Sequence, residues 1–72
     1  MPHVTVKCYK GRSEEQLKEA AEIIAQATAE AFKLDRSAVS VAIEEVAKED
    51  WGYVYNNDIK GGNTRLFVEP GY

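Results

Sequence analysis

Two stretches that alternate with a period of two enclose one with helical periodicity, all within the first 46 residues, and that order leaves few folds open. In residues 2–9, Val4, Val6 and Cys8 fall on one face, and His3, Thr5, Lys7 and Tyr9 on the other. With β-branched side chains at positions 4, 5 and 6 this reads as a strand, and Gly11 interrupts it. Ser13 then opens a helix. Its hydroxyl can accept from the Gln16 N–H while Gln16 reaches back, the S-x-x-Q capping box. Glu14 and Glu15 stand in the first turn, where the helix dipole favours negative charge. Leu17, Ala20, Ala21, Ile24, Ala27, Thr28 and Ala31 recur at helical spacing, with charged and polar residues such as Lys18, Glu22 and Glu30 on much of the other side. The helix should end near Lys33, before Asp35-Arg36-Ser37. Residues 39–46 alternate again: Val39, Val41 and Ile43 against Ser40, Ala42 and Glu44. Strand, helix and strand at this spacing form a β-α-β unit, so the strands should be parallel with a right-handed crossover, in an α+β fold class.

After the second strand the pattern weakens. Trp51, Tyr53 and Tyr55 precede Gly61-Gly62 and the short apolar stretch Leu66-Phe67-Val68. The expectation is an irregular aromatic segment followed by a hairpin or short strand, all within a single domain of residues 1–72. A chain of 72 residues buries a smaller share of its surface than larger domains do. Small scaffolds are commonly reinforced by disulfides, a metal or association. Cys8 is the only cysteine, so no intrachain disulfide can form, and with His3 as the only other soft ligand no metal site is expected. Exposed sheet edges and an uncovered sheet face then point to a homo-oligomer, with a dimer as the commonest symmetric solution and the minimal unit.

Nine basic residues face twelve acidic ones, net −3, with no block of like charge. Nucleic-acid partners normally require a basic patch or stripe, so none is expected. The opening MPHVTVKCYKG lacks the apolar core of a signal peptide, and no apolar run reaches the ~20 residues that span a bilayer. A free cysteine without an export signal fits a cytoplasmic protein and no membrane partner.

Three residues could carry chemistry. Methionine is usually trimmed before a small residue, which would leave Pro2 as a terminal secondary amine. An α-amino group has a pKa near ~7.7–8, and desolvation or a neighbouring cation lowers it. Such an amine can take a proton from a carbon or an enol oxygen and return it elsewhere. On the residues alone, Pro2 is either that base or an inert second residue. Arg12, just before the helix cap, can grip a carboxylate bidentately or lie solvated in a turn. Trp51 can wall a pocket or simply pack. Cys8, in register with Val4 and Val6, reads as a small buried hydrophobe. His3 has no evident partner and reads as solvated; Glu44, Glu45, Glu49 and Asp50 read as surface charge.

As an ordered set, these features resemble the 4-oxalocrotonate tautomerase family. The residues that carry the resemblance are Met1-Pro2 opening a strand, Gly11-Arg12-Ser13 before a Glu-rich helix, a β-branched second strand, and Lys48 leading to Trp51-Gly52. It covers the chain to about residue 53 and more loosely beyond. The resemblance implies a cofactor-free keto–enol isomerase acting on small carboxylic acids, in which Pro2 is the general base. It implies further that Arg12 binds a substrate carboxylate, in a site shared with another subunit. Trp51 would line the pocket where the best-known members have phenylalanine. Those members carry a second arginine in the second strand; this chain has Ser40 there, able to donate a hydrogen bond but not to supply charge. Ser40, Trp51 and the closing Glu69-Pro70-Gly71-Tyr72 resemble a less characterised bacterial branch, some of which are dimers instead of hexamers, so the resemblance implies a dimer or a hexamer. With one arginine the site is expected to favour mono-acids over diacids. The competing readings are a hydratase or dehalogenase that uses the same terminal proline, and a non-catalytic oligomeric binding protein of the same fold.

Overall fold

The structure, a computed structural model, describes residues 1–62 and 65–72. Strand β1 (His3–Tyr9), helix α1 (Glu14–Phe32) and strand β2 (Ser40–Val46) follow in the expected order, each strand one residue shorter at its start than the alternation suggests. The two strands pair in parallel, from His3 opposite Ser40 to Tyr9 opposite Val46. The β-α-β fold with parallel strands is the one expected from the sequence.

The helix begins where the local chemistry dictates. Gln16 N–H donates to Ser13 Oγ at 3.2 Å, and Ser13 N–H donates to Gln16 Oε1 at 3.3 Å, so two of the orphan amides of the first turn are satisfied reciprocally. It ends on Lys33, whose φ of 57° is left-handed, unusual for a residue with a Cβ. Asp35 then caps a single 3₁₀ turn, Arg36–Ala38, accepting from both the N–H (3.1 Å) and the hydroxyl (2.5 Å) of Ser37. Those two donors hold the Asp35 carboxyl below its ordinary range.

One face of the sheet packs against α1 through Ala25 and Ala29, which are buried against Val39 with Val41 beside them. Alanines at the contact let the helix sit close to β2. The expected inward stripe is therefore partly misassigned: Ala27 and Ala31 are exposed, and Ala25 and Ala29 take their place. Alanine recurs at six of the positions between 20 and 31, so hydrophobicity alone does not phase the helix; its fit against β2 does.

Helical structure, and not an irregular segment, follows β2. A 3₁₀ turn at Lys48–Asp50 leads into the short helix α2 (Trp51–Val54), which continues as a π-helical stretch over Tyr55–Lys60. Its inward residues Trp51, Val54, Tyr55 and Ile59 recur at helical spacing, a signal masked by their aromatic and β-branched character. Gly61 and Gly62 end it for a steric reason. A Cβ on Gly61 would come within 2.6 Å of the Asn56 carbonyl oxygen, and one on Gly62 within 2.8 Å of that of Asp58. Beyond this point the expected hairpin or short strand is not formed among the described residues. Leu66, Phe67 and Val68 are exposed, and among the described residues no strand lies alongside to complete a ladder. Asn63 and Thr64 lie outside the described residues.

Candidate active site

The helical stretch from Trp51 to Lys60 lies against part of the sheet face opposite α1, at Lys7 and Tyr9. On that face β1 presents His3, Thr5, Lys7 and Tyr9, and β2 presents Ser40, Ala42, Glu44 and Val46. The Trp51 ring meets the Tyr9 ring edge-on, with centroids 5.1 Å apart at 82°. Lys7 Nζ donates to Asp58 Oδ2, tying the middle of β1 to the π-helical stretch. That hydrogen bond, with the charge of Asp58 and more weakly of Glu44, raises the Lys7 ammonium above its ordinary pKa.

Between sheet and segment runs a groove of about 610 Å³, walled by Thr5, Lys7, Trp51, Val54, Asp58 and Tyr72. A second hollow of about 480 Å³ adjoins it, lined by Cys8, Tyr9, Arg12, Trp51 and Tyr72, with Lys7 between the two. Its wall is largely apolar, and Arg12 and Lys7 are the cations in its lining. Arg12 is exposed and donates through Nη1 to the Tyr9 carbonyl at 3.1 Å, which holds the side chain over the end of β1 while its other donors stay open. Trp51 is half-buried, belongs to both hollows, and is fixed by Tyr9. Cys8 is half-buried and borders the Arg12 hollow, so it is less enclosed than its register with Val4 and Val6 suggests.

Pro2 and Ser40 lie at the other end of the sheet. The Ser40 N–H donates to the Pro2 carbonyl at 3.2 Å, extending the ladder by one bond beyond β1. Pro2 is half-buried, while Met1 before it is 93% exposed. His3 occupies the same rung. Its Nδ1 lies 2.7 Å from Ser40 Oγ and its Nε2 3.3 Å from Thr5 Oγ1, so the residue expected to be solvated and without partners has two. The sequence pattern holds no sign of this, because the pairing depends on which residues the parallel register sets opposite each other.

The four expected site residues thus form two pairs. Pro2 and Ser40 sit together at the start of the strands, and Arg12 and Trp51 together at their finish. Seven residues of β1 separate the pairs, roughly 20 Å of strand at the usual rise. Among the described residues no three His, Cys, Asp or Glu side chains gather as metal ligands would, and no helix is long and apolar enough to cross a membrane. Glu44, Glu45, Glu49 and Asp50 are exposed.

Comparison with known proteins agrees with the fold. The family described as "Tautomerase enzyme" matches residues 2–55. A Xylella fastidiosa (strain 9a5c) protein named "Probable tautomerase" is 44% identical over the whole of this chain and 89% of its own length. "Tautomerase PptA" of Enterobacter sp. (strain 638) is 36% identical, again over the whole chain and 97% of its own length. Among solved structures, TomN, a 4-oxalocrotonate tautomerase homologue in the tomaymycin biosynthetic pathway, superposes with a TM-score of 0.67 at 30% identity, covering 69% of this chain and 77% of its own. The chain belongs to the 4-oxalocrotonate tautomerase family.

Proposed function

We propose that the protein is a cofactor-free keto–enol tautomerase of small carboxylic acids, with Pro2 as general base once Met1 is removed. The observation that carries this reading is the division of the four residues into two pairs at opposite ends of one sheet. Each pair is half of a site. Pro2 and Ser40 supply a base and a hydrogen-bond donor; Arg12 and Trp51 supply a carboxylate clamp and an apolar wall. A small keto acid cannot reach across the length of β1, so a working site joins the Pro2 end of one copy to the Arg12 end of another. The working unit is then the single domain of residues 1–72 associated at least as a dimer. The cytoplasm is the compartment that goes with a free thiol at Cys8.

The chemistry follows from the parts. With Met1 attached, the Pro2 nitrogen is an amide whose lone pair is delocalised into the carbonyl, and it has no useful basicity. Freed, it is a secondary amine that can accept the enol proton and return it to carbon. Arg12 grips the carboxylate and sets the reacting carbon at a fixed distance from the base. Trp51 and Tyr9 exclude water on one side of the bound acid.

Mixing two impaired variants tests the shared site. Pro2→Gly and Arg12→Ala proteins, unfolded together and refolded, should regain about a quarter of the wild-type rate on an aryl enolpyruvate held well below the wild-type KM, because random pairing restores intact sites at that frequency. Each variant refolded alone should stay impaired. No recovery in the mixture would show that base and clamp belong to the same copy, and the reading would fail.

A further inference from the structure

His3 and Thr5 are the members of the polar cluster beside Pro2 that the family resemblance leaves without a role. The His3 ring is clamped between two hydroxyls, Ser40 Oγ on Nδ1 at 2.7 Å and Thr5 Oγ1 on Nε2 at 3.3 Å. The register sets His3 opposite Ser40, and Thr5 follows two residues along β1 on the same face. The clamp is therefore built from regular strand backbone, one rung from the proline.

A neutral imidazole has one N–H and one bare nitrogen, and the two assignments have opposite consequences for Ser40. If Nε2 carries the proton, Nδ1 accepts, and the Ser40 hydroxyl must point its hydrogen back at the ring. Ser40 would then present only lone pairs to an incoming acid. If Nδ1 carries the proton, it donates to Ser40 Oγ, the Thr5 hydroxyl donates to Nε2, and the Ser40 hydrogen is free to turn outward. Moving a proton between carbon and oxygen builds negative charge on the substrate oxygen, which calls for a donor there. Only the second arrangement supplies one. Three hydroxyl and imidazole groups aligned in the same sense also polarise one another, which strengthens the last donor in the line.

We propose that His3, held by Thr5, is a positioning residue that donates from Nδ1 to Ser40 and so makes the Ser40 hydroxyl the donor to the reacting oxygen of the substrate. Ser40 keeps its proton throughout, and Pro2 carries the transferred one. The inference rests on the tautomerase reading of Pro2, and two separate measurements keep the two apart.

The first needs no activity. In the full chain, at a pH where the ring is neutral, nitrogen-15 correlation spectra of His3 should show Nδ1 protonated and Nε2 bare. A bare Nδ1 would overturn the proposal whatever the enzyme does. The second uses the Met1-free protein and the enol-to-keto assay. Both His3→Ala and Ser40→Ala change exposed residues and should keep the fold, as circular dichroism would report. Each should lower kcat about tenfold with KM within about twofold, the range set by losing one hydrogen bond to a charged group. The double variant should be no slower than either single one, since the two act as a unit. His3→Asn, whose side-chain N–H can still reach Ser40, should recover most of the loss. Wild-type kcat in His3→Ala, or losses that multiply in the double variant, would show that His3 does not act through Ser40. Failure of the wild-type protein to turn over any enol would count against the tautomerase reading and leave the tautomer measurement to decide this one.

Discussion

At the start of the two strands the side chains are short, polar and bound to one another: Ser40 to His3, His3 to Thr5, and the Ser40 amide to Pro2. At their finish they are large and aromatic, with Tyr9 and Trp51 packed edge-on and Arg12 anchored to the Tyr9 carbonyl. The first end is assembled by strand pairing alone. The second depends on α2 folding back across the sheet, because Trp51 reaches the Tyr9 ring from there. On the proposed reading Pro2 as base needs an accurate position and a hydrogen-bonded neighbourhood, and the ladder is suited to both. On the same reading the clamp needs charge at an open rim, which Arg12 brings from the turn before α1, and apolar area, which Trp51 brings from α2. Changes at the first end should therefore act on the rate of the chemical step, and changes at the second on binding.

The largest effect expected is at Pro2. Pro2→Gly should reduce kcat by on the order of 10²-fold or more while the fold persists, the scale of a positioned acid–base group. Protein shown by intact mass to retain Met1 should be folded and equally inactive. Full activity in either sample would remove the base from the first end and with it the contrast between the ends.

Arg12→Ala should chiefly raise KM for acidic substrates, by roughly tenfold, with a smaller fall in kcat where the grip tightens in the transition state. If kcat instead fell a hundredfold at constant KM, Arg12 would belong to the chemistry and the division of labour would be wrong.

Ser40→Arg sharpens the comparison by giving the first end a charge of its own. The ratio of kcat/KM for a diacid to that for a mono-acid should rise by several-fold to about tenfold, as expected for one added charge-assisted contact. A wild-type protein that already prefers diacids strongly would contradict the role given to Ser40.

The smallest effect lies between the ends, at the Lys7–Asp58 ion pair. Both partners are partly exposed, so Asp58→Asn should cost little stability. Lys7 has its pKa raised above 10.5 in the folded chain, so the pair contributes fully below that pH and its contribution is lost as pH rises through the higher folded value. Urea denaturation of wild type and Asp58→Asn should show a constant difference from neutral pH to about 10, narrowing above it. A difference that grew at alkaline pH would mean that the pair does not hold α2 and its continuation over the sheet.

The sequence by itself determined the parts that depend on near neighbours. The capping box at Ser13 and Gln16, the alternation in β1 and β2, and the parallel pairing of the strands around one helix all follow from spacings of two to four residues or from the short crossover. Pro2 and Arg12 are legible as candidates from their places before a strand and before a helix cap, Trp51 from its aromatic ring, and Ser40 only from the family resemblance. What only the tertiary structure decided involves residues far apart in the chain. Ala25 and Ala29, and not Ala27 and Ala31, became core because a helix rich in alanine takes its phase from the strand it packs on. The 51–60 segment became helical because Trp51 and Val54 found cover on the second sheet face, where an isolated helix so short would not persist. His3 met Ser40 across 37 residues because the ladder register put them on one rung, and register is a property of two strands together.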